Sequence, residues 1–224
     1  MMAKTMIQTD KIVSRNDPGK QANIPMLIAD LGNNDGSVRV RARATLVYIG
    51  AQAVEPLMLA LKDQNWHMRW EAAKALGEIG DPRSAPTLVS ALEDVRSGIR
   101  WLAAVGLIAI GREALPPLLQ ALIDRSDSEW LREGAHHVFR AWQKEKERAE
   151  LHTKADEEMS HLVSPVLKAL EEVEPVIATP PAAQAALDAL TMQMAKASPQ
   201  TQKAPSNPVA AREGGLAEIP WEFK

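Results

Sequence analysis

A pattern of about 31 residues recurs four times in this chain and limits what it can fold into. Each copy begins with an arginine, at Arg39, Arg69, Arg100 and Arg132. An alanine follows three residues later, and large apolar residues follow at seven and ten residues. These offsets place the three side chains on one face of a helix. The chain is therefore a helical repeat protein at its centre.

Glycine and proline divide each copy into two helices. A glycine ends the first three apolar stripes, at Gly50, Gly80 and Gly111, where it is a favoured helix C-cap. A proline follows six residues after each glycine, at Pro56, Pro86 and Pro117, a position typical of the first turn of a second helix. Neither helix can bury its apolar stripe alone, so neighbouring copies must stack. We predict an all-α fold, an α-solenoid of about four helix-turn-helix repeats.

Charge and composition divide the chain into four zones. Residues 1–22 lack apolar periodicity and are predicted to be a flexible arm, while residues 23–142 hold the repeat array. Residues 143–178 are acidic and predict a polar helical extension, with capping of the array as one option. Residues 179–224 are rich in Ala, Pro, Gln and Ser and predict a disordered tail, within which only residues 182–194 have the pattern of a short helix.

Composition excludes several classes of function. The net charge of −3 argues against a dedicated nucleic-acid binder, which usually carries a basic excess. The absence of cysteine excludes disulfides, thiolate nucleophiles and Cys-ligated metals. The sequence pattern predicts no apolar run long enough for a membrane span, and the start of the chain lacks a signal-peptide pattern. We expect a cytoplasmic protein without a membrane partner.

The segment HMRWEAAKALGEIGDPRSAPTLVSALED (67–94) resembles the short HEAT repeat of the phycobilisome-lyase type. The resemblance covers about residues 23–142 and implies a solenoid with a binding surface, without naming the function. It also implies that repeated Asp–Arg pairs form a structural ladder between repeats. The pairs are Asp63/Arg69, Asp94/Arg100 and Asp124/Arg132.

The same resemblance raises three other classes of function. Bilin lyases attach tetrapyrroles to light-harvesting subunits, and this role stays open as the alternative. Iron-dependent hydroxylases built from HEAT repeats bind metal through His-Glu dipeptides, but none of the five His here precedes Glu. HEAT-like DNA glycosylases exist, but the basic run at 38–44 is better interpreted as a solvated, partly ion-paired face.

Chemical motifs give no support for catalysis. The chain has no Gly-x-Ser-x-Gly, no Walker phosphate loop and no Gly-x-Gly-x-x-Gly. Carboxylates such as Glu71 and Glu78 fall on polar helix faces with no converging partner in the pattern. We predict no catalytic residue, no metal site and no cofactor.

Large apolar residues also occupy the helix face opposite the buried stripe. In the second and third copies this face carries Trp70, Trp101, Val105 and Ile108. The third helix, residues 99–110, is apolar all round, a character typical of helices covered on both sides. Neighbouring repeats or the C-terminal part of the chain cover these residues in one interpretation. In the other they form an exposed interface with Trp66 and Trp130, which lie near the same loop edge.

The segment EIPWEFK (218–224) carries a second candidate contact, Trp221 and Phe223. An apolar plug at the end of a polar linker resembles a short linear motif. Docking on another protein, folding back onto residues 99–110, and a chain end without a role all stay open.

We therefore predict a non-enzymatic adaptor that binds another protein, whose identity the sequence leaves open. A bilin-lyase-like role is the alternative function, and a nucleic-acid partner is not expected. Self-association stays open, since two apolar patches can pair with each other.

Overall fold

The computed structural model describes residues 23–148 and 154–197, and these form ten α-helices without a strand. The helices are α1 (Ile24–Asp30), α2 (Gly36–Ile49), α3 (Val54–Ala60), α4 (Trp66–Ile79), α5 (Ala85–Ala91), α6 (Ser97–Ile110), α7 (Leu115–Asp124), α8 (Glu129–Arg148), α9 (Lys154–Leu170) and α10 (Pro175–Ala197). The predicted arm at 1–22 and residues 198–224 of the predicted tail lie outside the described residues.

The helices stack in two layers, as the repeat pattern predicts. Helices α2, α4, α6 and α8 pack side by side in one layer. Helices α1, α3, α5 and α7 lie in the other, and α10 extends that layer beside α7. Helix α9 lies between α8 and α10. The predicted all-α solenoid is confirmed.

The apolar stripe of each repeat is the core of the array. The residue seven positions after each repeat arginine is fully buried, at Leu46, Leu76, Leu107 and Phe139. The alanine at the third position is also buried in all four repeats, which lets neighbouring helices approach closely. Burial of one such Leu or Phe contributes about 2 kcal/mol to folding. The buried residues of all repeats form one continuous cluster, so the repeats stabilise one another.

The repeat glycines close the long helices as predicted. Gly50, Gly80 and Gly111 have φ angles of 69°, 67° and 76° and follow α2, α4 and α6 directly. Residues with a Cβ rarely adopt positive φ, so only glycine turns the chain here without strain. The backbone N–H of Gly80 donates to the carbonyl of Leu76 and completes the last turn of α4.

Helices α4 and α6 meet at two further glycines. A Cβ added at Gly77 would lie 3.1 Å from Cα of Gly106. A Cβ added at Gly106 would in turn lie 3.0 Å from a methyl of Leu88 on α5. The two backbones therefore approach more closely than side chains would permit, and α6 is fixed against both α4 and α5.

The C-terminal part of the described chain corrects one predicted boundary. The tail was placed at residues 179–224, but α10 begins at Pro175 and continues to Ala197. One face of α10 is buried, at Thr179, Ala183, Ala186 and Leu190. These residues gain their apolar neighbours from α7 and α9, and composition alone does not reveal those contacts. Residues 179–197 therefore belong to the folded array.

The acidic extension at 143–178 is divided between elements. It contributes the end of α8, all of α9 and the start of α10. Val173, in the turn between α9 and α10, is 97% exposed, and Ile177, in the first turn of α10, is 69% exposed. Terminal repeats usually present a polar outer face. A capping role for this extension thus remains a prediction.

Residues 97–124 combine the length and hydropathy of a membrane helix, which the sequence pattern had not indicated. In the structure Gly111 ends α6 within this stretch, and α7 begins at Leu115. In the most apolar part of the stretch, 56% of the residues are buried inside the protein. Core packing of two helices accounts for the hydropathy.

We expect Gly106→Val to lower the free energy of unfolding by about 1–3 kcal/mol, because its side chain must displace α4 or Leu88. Urea unfolding followed by circular dichroism measures the change. Ala109→Val, on the exposed face of the same helix, is the matched control and should stay within about 0.5 kcal/mol of wild type. Equal stability of both variants would contradict the close contact between α4 and α6.

Candidate functional site

Two of the predicted interface tryptophans make contacts within the array. The ring of Trp66 lies 3.7 Å from the His67 ring, and the Arg96 guanidinium stacks 4.4 Å above it. Trp70 covers the backbone of Gly98, where an added Cβ would lie 2.3 Å from its ring. Both tryptophans are half-buried. Trp70 therefore serves the packing of α4 against the start of α6.

Two others, Trp101 and Trp130, line an open groove between α6 and α8. The groove has a volume of about 800 Å³ and extends to the C-terminal end of α9. Trp130 is 42% exposed, and the Arg100 guanidinium stacks 4.6 Å above its ring. Ala104 continues the apolar surface one turn after Trp101. We call this feature the α6–α8 groove.

The rest of the predicted apolar face is covered by the chain itself. Helix α6 contacts α4, α5 and α8. Ile108 packs against the core, and the Trp142 Nε1–H donates to the Ile108 carbonyl at 3.4 Å. Val105 is half-buried. Trp221 and Phe223 lie outside the described residues.

Three cations of the groove have no carboxylate partner. Arg100 donates to the backbone carbonyl of Asp94 at 2.9 Å, and Arg132 donates to the carbonyl of Ser126. Lys144 is exposed. Within residues 23–148 and 154–197, none of these three side chains forms an ion pair. Glu129 and Glu133 also line the groove, beside the paired Arg140 and Glu171. The lining thus holds four Arg and Lys side chains and three Glu side chains, and its net charge of +1 favours an anionic group.

Glu171, the residue after α9, lines one side of the groove. Its Oε1 accepts from Arg140 at 2.6 Å and lies 3.1 Å from Nε2 of His136. The hydrogen bond with His136, and then the charge of Arg140, hold the pKa of Glu171 below its usual range. Partial desolvation, followed by the charges of His136 and Lys144, holds the pKa of His137 below its usual range. Glu171 is therefore ionised and His137 neutral at pH 7.

The predicted Asp–Arg ladder exists with a different pairing. Arg69 donates to the backbone carbonyl of Asp63 at 2.9 Å, whereas its ion pair is with Asp94 of the next repeat, at 2.6 Å. Arg100 likewise donates to the backbone carbonyl of Asp94 and not to its carboxylate. The Asp124 carboxylate accepts from Gln120 and not from Arg132. Each arginine thus fastens its own loop, and of the six predicted residues only Arg69 and Asp94 form an ion pair between repeats.

The expectation for Glu71 was wrong. It is 6% exposed and pairs with Arg43 at 3.0 Å and Arg39 at 3.6 Å, both from the preceding repeat. Arg43 also pairs with Glu78. These partners lie about 30 residues away in sequence, so periodicity within one helix could not find them. The basic run at 38–44 thus supplies two side chains for ion pairs.

Histidine placement gives no metal site in the part of the chain that the structure describes. No group of three His, Asp or Glu side chains in those residues has the geometry to hold a metal ion. His136 lies near one carboxylate, Glu171, which is already held by Arg140.

Sequence reasoning missed the second wall of the groove. His136, Arg140 and Lys144 lie on α8, and Glu171 directly follows α9. The one available signal was the fourth repeat itself, where Glu133, His137 and Arg140 replace the apolar residues of the third. That replacement indicates an exposed helix face, but it does not indicate which element lies beside that face.

The family model for HEAT repeats matches residues 24–108, which span α1 to most of α6. Residues 24–108 of the chain are therefore HEAT repeats. Among curated proteins, the chain is 40% identical over 65 residues to the bilin biosynthesis protein RpcF of Synechococcus sp. (strain WH8020). It is 39% identical over 66 residues to the phycocyanobilin lyase subunit beta of Pseudanabaena tenuis, and 31% over 81 residues to that of Thermosynechococcus vestitus.

These matches cover only part of each chain. They take in 29%, 30% and 36% of this chain, and 31%, 23% and 38% of the respective relatives. The likeness therefore supports repeats of the phycobilisome-lyase type, while the activity of the complete relatives is a separate question.

We expect Arg69→Met to lower the free energy of unfolding by about 3 kcal/mol, because it leaves the Asp94 carboxylate without its ion-pair partner in a site where only 10% of that side chain is exposed. Arg83→Met is the matched control, since Arg83 pairs with Asp81 at the surface and should have little effect. Urea unfolding measures both. Similar losses in the two variants would contradict a special role of the Arg69–Asp94 pair.

Proposed function

We propose that this protein is a non-enzymatic adaptor that binds a segment of a partner protein in the α6–α8 groove. The observation that supports it is the placement of Trp101 and Trp130, from successive repeats, on one open groove. Tryptophan and arginine carry much of the binding energy at protein interfaces, because they bury a large area and still offer polar contacts.

The chemistry of the groove favours a particular kind of segment. Trp101, Trp130 and Ala104 provide an apolar surface for an aromatic or aliphatic anchor. Arg100, Arg132 and Lys144 form no ion pair within the described residues, and the groove lining as a whole carries a net charge of +1. A segment with an apolar anchor flanked by Glu or Asp fits this arrangement.

The comparisons support a protein partner in a coarser way. Two of the relatives are named as lyase subunits, and repeat arrays commonly present extended binding surfaces. We also propose a cytoplasmic setting, because the chain has no cysteine to form disulfides outside the cell.

We expect Trp101→Ala/Trp130→Ala to weaken partner binding by at least about 30-fold, as expected when a hot spot worth about 2 kcal/mol is removed. Affinity capture from native lysate, followed by mass spectrometry, compares the variant with wild type. Trp66→Ala is the matched control, because Trp66 lies outside the groove.

A discrete partner that is lost with the double variant and retained with Trp66→Ala supports the adaptor. Circular dichroism must show that both variants stay helical. Equal capture by all three proteins would contradict binding in the groove.

The second candidate is a bilin-binding function like that of the named relatives. The groove supports it because tryptophan faces and cations together suit a flat, conjugated molecule that carries carboxylates. On this proposal, phycocyanobilin added to the protein changes its absorption spectrum saturably, and Trp101→Ala/Trp130→Ala removes the change. Identical spectra with and without protein would end this candidate.

A further inference from the structure

The α6–α8 groove leaves part of the apolar face of α6 open to solvent, although α6 also contacts α4, α5 and α8. Trp101 and Trp130 face it, and the charges of Arg100, Arg132 and Lys144 have no carboxylate partner within residues 23–148 and 154–197. A groove of about 800 Å³ lies in the range that binds a compact ligand or a few side chains. What enters it should carry aromatic rings and carboxylates.

One segment of this chain has that chemistry. Residues 218–223 read EIPWEF and contain Trp221 and Phe223 with Glu218 and Glu222 as the charged groups. Only nine of the 224 residues are aromatic, so two aromatic residues separated by one position are a distinctive feature. The two carboxylates of the segment are opposite in sign to the net charge of +1 that the groove lining carries.

The chain is long enough to bring this segment to the groove. The last turns of α10 lie beside Arg112, whose guanidinium donates to Gln193 at 3.0 Å. Arg112 follows the C-terminal end of α6, whereas the groove begins at Ser97, one length of this 14-residue helix or about 21 Å away. The 20 residues between α10 and Glu218 span up to about 66 Å.

We propose that residues 218–223 dock in the α6–α8 groove of the same chain. Trp221 packs against Trp101 and Trp130, and the two glutamates lie near the groove cations. This proposal does not depend on a partner protein. Where a partner also uses the groove, it must displace this segment.

Tethering makes even a weak contact effective. A connection of this length gives an effective concentration of about 1 mM. If the separate peptide bound with a Kd of about 0.1 mM, the tethered segment would occupy the groove about ten to one. Docking thus needs only a modest intrinsic affinity, a Kd below about 1 mM, to dominate in the full chain.

The test uses the absence of cysteine from this chain. Asp127→Cys, in the exposed turn before α8 and outside the groove lining, and Lys224→Cys are introduced together and labelled with nitroxides. Pulsed electron resonance on the full chain should show a dominant short-distance population. A control pair with Gln52→Cys and Lys224→Cys, at the far end of the array, should show none.

Substitutions then separate groove docking from chance proximity. Trp101→Ala/Trp130→Ala should lower the docking equilibrium about 30-fold, from about ten to one to about one to three. Trp66→Ala should leave the short-distance population unchanged.

Glu218→Gln/Glu222→Gln should reduce the short-distance population. Added salt should also reduce this population in wild type, but less in this variant. Trp221→Ala/Phe223→Ala tests the same contact without altering any described residue.

Three results would overturn the proposal. The first is a wild-type chain without the short distance. The second is a short distance that survives both Trp101→Ala/Trp130→Ala and Trp221→Ala/Phe223→Ala. The third is a short distance that disappears on dilution with unlabelled protein, which would place the segment in the groove of a second copy. Each result is independent of whether a partner protein is captured.

Discussion

The contact between α4 and α6 positions the central part of the array. Gly77 and Gly106 let the two backbones meet, and Trp70 covers the start of α6 at Gly98. On its other side α6 is held by α8, where Trp142 donates to the Ile108 carbonyl. With both flanks fixed, the N-terminal half of α6 presents Trp101 at a defined place between two rigid helices. A groove built on such elements is formed before any ligand binds.

The repeat arginine makes different contacts in successive repeats. Arg39 and Arg69 fasten their own loops and also reach a carboxylate of the next repeat, Glu71 or Asp94. Arg100 fastens its loop in the same way, but the corresponding Asp124 accepts from Gln120. The guanidinium of Arg100 lies over Trp130 instead. The positive character of the groove therefore arises where the ladder between repeats stops.

Sequence reasoning recovered the repeats because they rest on local rules. The stripe alanines and the large residues at seven positions are buried in every repeat, and Gly50, Gly80 and Gly111 have positive φ. The tail boundary was wrong because α10 depends on apolar neighbours from α7 and α9. Of the predicted interface residues that the structure describes, only Trp101 and Trp130 line the groove, while Trp70 and Ile108 take part in packing.

The sequence alone determined the helical repeats, their length and their apolar faces, because helix periodicity and glycine caps act within about ten residues of each other. Only the tertiary structure decided which charges meet. The partners of Glu71 and Glu171 lie 28 to 35 residues away, and such distances are set by how repeats stack. The groove is likewise a property of the space between α6, α8 and α9. No single repeat determines the groove, because each repeat contributes only one wall and the next repeat supplies the other.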